Sequence, residues 1–161
     1  MAIKKIIAIV STCVASLCFG GTVAQASDPV SGSSTFTISF VPVVERTADG
    51  NTMIDYTFVM NTAGIVDGTR ICSGELLIHA DGSFNTENSG IFTGIIAGKS
   101  GTAEMSFWGS GTFASAGGNL TVTHGMDGLA GVHADGKVSG SATDPTTFVG
   151  TISFTVNFSA P

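Results

Sequence analysis

Thr151-Ile152-Ser153-Phe154-Thr155-Val156-Asn157-Phe158 carries an apolar side chain at every second position and a small polar one between. Successive side chains of a strand point to opposite faces, so this pattern predicts a strand with one buried and one wet face. The same period of two recurs through the chain. Phe36, Ile38 and Phe40 alternate with Thr35, Thr37 and Ser39; Tyr56, Phe58 and Met60 repeat it; Ala103, Met105 and Phe107 alternate with Thr102, Glu104 and Ser106. Threonine suits the wet face because its β-branched carbon fits the pleat. Beyond residue 26 glycine, threonine and serine are abundant, and long runs of helix formers are missing.

Turn signals separate these runs. Asp-Gly occurs at Asp49-Gly50, Asp67-Gly68, Asp81-Gly82, Asp127-Gly128 and Asp135-Gly136, and such pairs tolerate the positive φ of a tight hairpin. Gly98-Lys99-Ser100-Gly101 and Gly117-Gly118-Asn119 read as two further reversals. The segments between them predict about eight strands, near 34–44, 52–62, 69–80, 83–97, 101–115, 118–124, 129–142 and 147–159. Pro42 lacks a backbone N–H and must sit at a bulge or an unpaired position. Antiparallel hairpins this regular end as a sandwich or a closed barrel, and closure removes exposed edges. The fold class expected is all-β: a single antiparallel closed β-barrel of about eight strands over residues 34–160, after a flexible lead-in at 27–33.

The first residues concern compartment. Lys4 and Lys5 precede an apolar run from Ile6 to Phe19, and Ala24-Gln25-Ala26 is a small-x-small triplet. Charge, apolar run and cleavage triplet in that order predict a signal peptide at residues 1–26, hence an exported, periplasmic or secreted protein. The apolar run is shorter than the ~20 residues of a membrane span. Leu17 before Cys18 and Thr12 before Cys13 do not suit lipid attachment. Beyond residue 26 the chain keeps Arg46, Arg70, Lys99 and Lys137 against all twelve acids, a net charge of −8. That balance argues against nucleic acid and anionic membrane as partners, and no membrane span follows the signal. Cys72, the remaining cysteine, is expected to be a buried small hydrophobe.

At Ser89-Gly90-Ile91-Phe92-Thr93-Gly94, Gly98-Lys99-Ser100-Gly101 and Leu129-Ala130-Gly131 the chain resembles the bacterial uncharacterised branch of the allene oxide cyclase-like barrel superfamily. That branch shows a phenylalanine-threonine-glycine stretch, a glycine-basic-serine-glycine turn and a late leucine-alanine-glycine hairpin. The resemblance covers about half of the residues beyond the signal well and the remainder loosely. It implies an eight-stranded antiparallel barrel with an interior cavity. It carries over no activity, because the plant cyclases use a barrel glutamate with no assignable counterpart here; Glu45, after Val43-Val44, stands in a different neighbourhood.

Few residues promise chemistry. No Gly-x-Ser-x-Gly elbow occurs, and Gly109-Ser110-Gly111 lacks the following helix that a dinucleotide site needs. His79-Ala80-Asp81-Gly82 and His133-Ala134-Asp135-Gly136 repeat one tetrapeptide and read as two similar hairpin turns, so no metal and no cofactor are expected. Strand 69–80 is the exception. One of its faces carries Glu75 and His79, the other Arg70 and Cys72. Either, turned inward, brings ionisable groups into the barrel, where a charge is costly unless paired. Arg70, Cys72, Glu75 and His79, with the aromatics Tyr56 and Phe58, are therefore the candidate ligand-binding residues; catalytic residues are unassigned. The parity of Trp108 points outward, and partial burial at a bulge is the expectation for it. The leading expectation is a non-catalytic barrel binding a small apolar or amphipathic ligand. A structural or interaction protein of the cell envelope or secretome, and a cyclase- or isomerase-type enzyme, are the alternatives.

Overall fold

A computed structural model describes residues 28–159; the expected signal peptide lies outside the described residues. Eight strands follow one another: β1 Val30–Ala48, β2 Asn51–Gly64, β3 Val66–Ile78, β4 Phe84–Ile96, β5 Lys99–Thr112, β6 Ser115–Asp127, β7 Val132–Asp144 and β8 Thr147–Phe158. Each pairs antiparallel with the next, and β1 pairs with β8 to close the barrel. The alternation seen in the sequence is the mechanism. Residues of one parity point into the barrel and are buried, among them Phe36, Phe58, Met60, Phe92, Met105, Leu120, Ile152 and Phe154. Closure gives every strand a partner on each side, with β1 running past its β8 ladder beyond Ser39.

The turns are partly those expected. Asp49 (φ 52°) and Gly50 (φ 78°) both adopt positive φ, as a two-residue type I′ hairpin demands. Ala97 (φ 48°) and Gly98 (φ 83°) do the same between β4 and β5. Pro42 lies where the β1–β2 register slips between Pro42 and Val44, the bulge its missing N–H required.

Four expectations need correction. Residues 30–33, read as lead-in, are strand: Val30 to Ser33 pair with Val156 to Ser153. Asp67-Gly68 and Asp135-Gly136 lie inside β3 and β7 rather than at turns, so the two His-Ala-Asp-Gly tetrapeptides are one turn and one strand. Gly117-Gly118-Asn119 lies within β6, and the reversal before it is at Phe113-Ala114. The strand expected from 129 begins at Val132.

The glycines that mislead have a common explanation in the narrow interior. Gly68 pairs with Gly94, Gly109 with Gly118, and Gly140 with Gly150 across neighbouring strands. A Cβ on Gly68 or Gly94 would stand 2.9 or 2.8 Å from the ring of Phe92. The Phe107 ring blocks Gly109 and Gly118 likewise, and the Phe36 ring blocks Gly140 and Gly150. Each pair of glycines therefore leaves a floor on which one phenylalanine lies. Aromatic cover compensates the lost side-chain packing of a strand glycine. Gly136 has the same reason, with Phe154 and Ile152 within 2.9 Å of its virtual Cβ.

The two ends of the barrel differ. At the end holding the β2–β3, β4–β5 and β6–β7 connections, Val66, Ile96, Leu129, Val132, Val156 and Phe158 pack together and are buried. Ser34 Oγ accepts a hydrogen bond from Val66 N at 2.9 Å and ties that end shut. The opposite end, with the β1–β2, β3–β4, β5–β6 and β7–β8 turns, is not filled.

Candidate binding chamber

A chamber of about 150 Å³ occupies the unfilled half of the barrel. Phe36, Phe40, Phe58, Phe107 and Phe148 line its walls together with Ile38, Ile54, Leu76 and Val138. Its outer lining includes Pro42, Phe113 and Pro145, all exposed, so the chamber opens there. The Phe84 and Phe113 rings lie 5.3 Å apart at this rim. Phe40 stands edge-on to Tyr56 at 5.4 Å, and Phe36 stacks on Phe148 at 6.2 Å; these offset and T-shaped contacts suit the ring quadrupoles. A second hollow around Gly32 and Gly136 is lined by the polar outer residues Ser31, Asn119, Asp135, Lys137 and Thr155 and by the buried Leu120 and Phe154.

Strand β3 turns its Arg70–Cys72 face inward. Arg70 is 1% exposed and Cys72 4%, whereas Glu75 faces water. His79 lies beyond the end of β3, its Nε2 2.8 Å from Asn85 Nδ2. Of the six candidates, Tyr56, Phe58 and Arg70 meet in the chamber lining. Cys72 is buried beside them in the core, and Glu75 contributes only its backbone. Trp108 is 61% exposed on the outer wall, in regular register with Glu87 and Asn119, and not partly buried at a bulge as expected.

Polar groups form one chain across the chamber floor. Arg70 Nη2 donates to Asn88 Oδ1 at 2.9 Å and to Met105 O at 2.8 Å. Asn88 Nδ2 donates to Tyr56 Oη at 3.1 Å. Thr86 Oγ1 gives its proton to Glu75 O at 2.9 Å, so Tyr56 must donate to Thr86 across their 2.6 Å contact. Because Arg70 only donates, the orientation of the Asn88 amide follows from it. Asn88 and Thr86 were not among the candidates read from the sequence. The signal was present: Phe84, Thr86, Asn88, Gly90 and Phe92 share one parity of β4, and the buried phenylalanines at both ends carry the polar pair inside.

Electrostatics follow from burial. Desolvation pulls the proton affinity of Arg70 below its ordinary range, and Arg70 packs 5.7 Å from the Phe58 ring centre. Desolvation also raises the Tyr56 phenol, against the hydrogen bonds of Thr86 and Asn88. Burial pushes the Cys72 thiol from 9.0 up to about 11, against the pull of Arg70. Folding thus holds both acids in their neutral forms. The stability this confers is complete below pH 9.0, the ordinary thiol value, and is lost as pH rises toward about 11. Denaturant titrations are expected to show constant stability from pH 6 to 8 and a decline above pH 9, partly removed by Cys72→Ala. A disulfide reagent is expected to modify Cys72 only on unfolding.

The histidines stay apart: His124 pairs with Glu104 at 3.0 Å and His133 lies 3.6 Å from Asp135, both exposed. Among the described residues no three His, Cys, Asp or Glu side chains gather as a metal site would need.

The fold has a solved counterpart. A protein of unknown function from the DUF3224 family of Shewanella oneidensis MR-1 is similar in structure, with TM-score 0.63 and 17% identity over 83% of this chain and 100% of that one. The likeness is one of fold. No protein-family model and no curated protein sequence matches the chain.

Proposed function

We propose that this chain is an exported barrel, akin to the allene oxide cyclase-like superfamily, that holds a small apolar or amphipathic molecule without transforming it. One observation carries the reading: one end of the barrel interior is an aromatic-walled chamber with an apolar rim, while Val66, Ile96, Leu129, Val132 and Phe158 close the other. Folded interiors ordinarily close such voids, because unfilled walls forfeit contacts. Deep apolar pockets with a few convergent polar groups are the usual form of small-molecule sites. A volume near 150 Å³ matches on the order of one aromatic ring, with any longer body emerging through the rim. The non-catalytic part rests on the lining. It contains no carboxylate and no histidine, and its phenol is held protonated with no base beside it.

Native mass spectrometry of the protein purified from its own host's export compartment tests the reading. A small molecule released on denaturation is expected, and a uniformly empty barrel would count against it. The same spectra address the structural or interaction reading. That one is favoured by Val59, Ile71 and Ile91, which lie in register across β2, β3 and β4 and are exposed on the outer wall. Stable dimers or higher copies with an empty interior would favour it instead.

A further inference from the structure

Arg70 is the one buried charged side chain among the described residues; every described Asp and Glu is at least partly exposed. Its guanidinium meets only neutral acceptors, the side chain and backbone of Asn88 and the Met105 carbonyl, all through Nη2. Nε is buried and has no partner, and no described residue engages Nη1. The groups around it offer no relief. In the chain from Asn88 through Tyr56 and Thr86 to the Glu75 carbonyl, each hydroxyl proton is already committed in one direction, away from Arg70. The floor of the chamber therefore has donors and positive charge to spare, and no counterion.

We propose that the occupant is a monocarboxylic acid with a small apolar body, its carboxylate accepting hydrogen bonds from Arg70 and its body lying among the phenylalanines. The proposal rests on the reading that the chamber takes a ligand at all. A buried cation without a counterion is costly even when neutral acceptors meet part of it, and a carboxylate restores neutrality where water is excluded. Guanidinium–carboxylate bonds are charge-assisted and directional. A single charge is expected because Arg46, Lys99 and Lys137 are exposed and absent from the chamber lining, Arg46 being paired with Asp55 at 2.8 Å. The net negative surface opposes anion approach only weakly at physiological salt, since charges farther than about 8 Å through water are screened.

Calorimetric titration of residues 27–161 with sodium octanoate and with 1-octanol separates the parts. Octanoate is expected to bind at least about tenfold more tightly than octanol at pH 7.5, as one charge-assisted contact warrants. Arg70→Gln, which keeps a neutral donor for Asn88, is expected to lower octanoate to the level of octanol and leave octanol unchanged. In the unmodified protein the preference is expected to vanish as pH falls through the titration of octanoic acid, a measurement that needs no variant. Equal binding of both probes, with no effect of pH, would overturn the carboxylate assignment and leave the apolar chamber standing. Binding of neither would overturn both.

Discussion

Gly90→Val is expected to cost about 4 kcal/mol or more, a large part of the roughly 5–15 kcal/mol that holds a domain of this size. Gly90 sits on the inward parity of β4 between Cys72 of β3 and Met105 of β5. A Cβ there would fall well inside contact with the Ile71 carbonyl oxygen and 2.7 Å from Cys72 Sγ. The sulfur could swing aside. The carbonyl cannot, because it belongs to the backbone of the neighbouring strand in a closed barrel. Denaturation with urea should show the loss, or purification should yield no cooperatively folding protein. A variant within 1 kcal/mol of the parent would mean that β3 and β4 are not packed this closely.

Phe92→Ala is expected to cost about 3–5 kcal/mol, near the upper part of that range. The ring is fully buried and lies across Gly68 and Gly94. Removing a large side chain hurts most where neighbours cannot move into the space. Here the floor of the void would be two residues without side chains, in paired strands that cannot approach further. By contrast Trp108→Ala, on the outer wall, should change stability by under about 1 kcal/mol. The denaturation midpoint should fall steeply for the first variant and barely for the second.

This pairing of phenylalanine with glycine explains why the architecture was legible in the sequence and the turns less so. Alternation in segments such as 151–158 reports only which side chains face the core, and that signal is strong when one face is wet. It yielded eight strands and left a sandwich or a barrel open, with closure leaning on the resemblance to known barrels. Asp67-Gly68 and Asp135-Gly136 look like Asp49-Gly50 in sequence. Only in three dimensions does it emerge that Gly68 and Gly136 are small because a ring from the neighbouring strand, Phe92 or Phe154, needs the room.

The candidate site was half legible for a related reason. Strand 69–80 announced two mixed faces, and parity alone could not choose between them. The choice came from β2 and β4: Phe58 and Gly90 flank Cys72, whereas Asp55 and Glu87 flank Glu75 on the wet side. Arg70 is tolerated inside because Asn88 and a backbone carbonyl accept from it, and those partners lie 18 and 35 residues away. No local pattern reveals such a distant pairing. The chamber itself was implied by the resemblance to known barrels, while its confinement to one half depends on how Val66, Ile96, Leu129 and Phe158 close the other.

Whether this half-filled interior receives an apolar molecule is decided by methyl NMR with toluene. The methyl groups of Ile38, Ile54 and Leu76, which line the chamber, are expected to shift in a saturable way, while Val66, Leu129 and Val132 at the closed end stay fixed. Shifts confined to Val59, Ile71 and Ile91 on the outer wall, or no saturable shift at all, would contradict it.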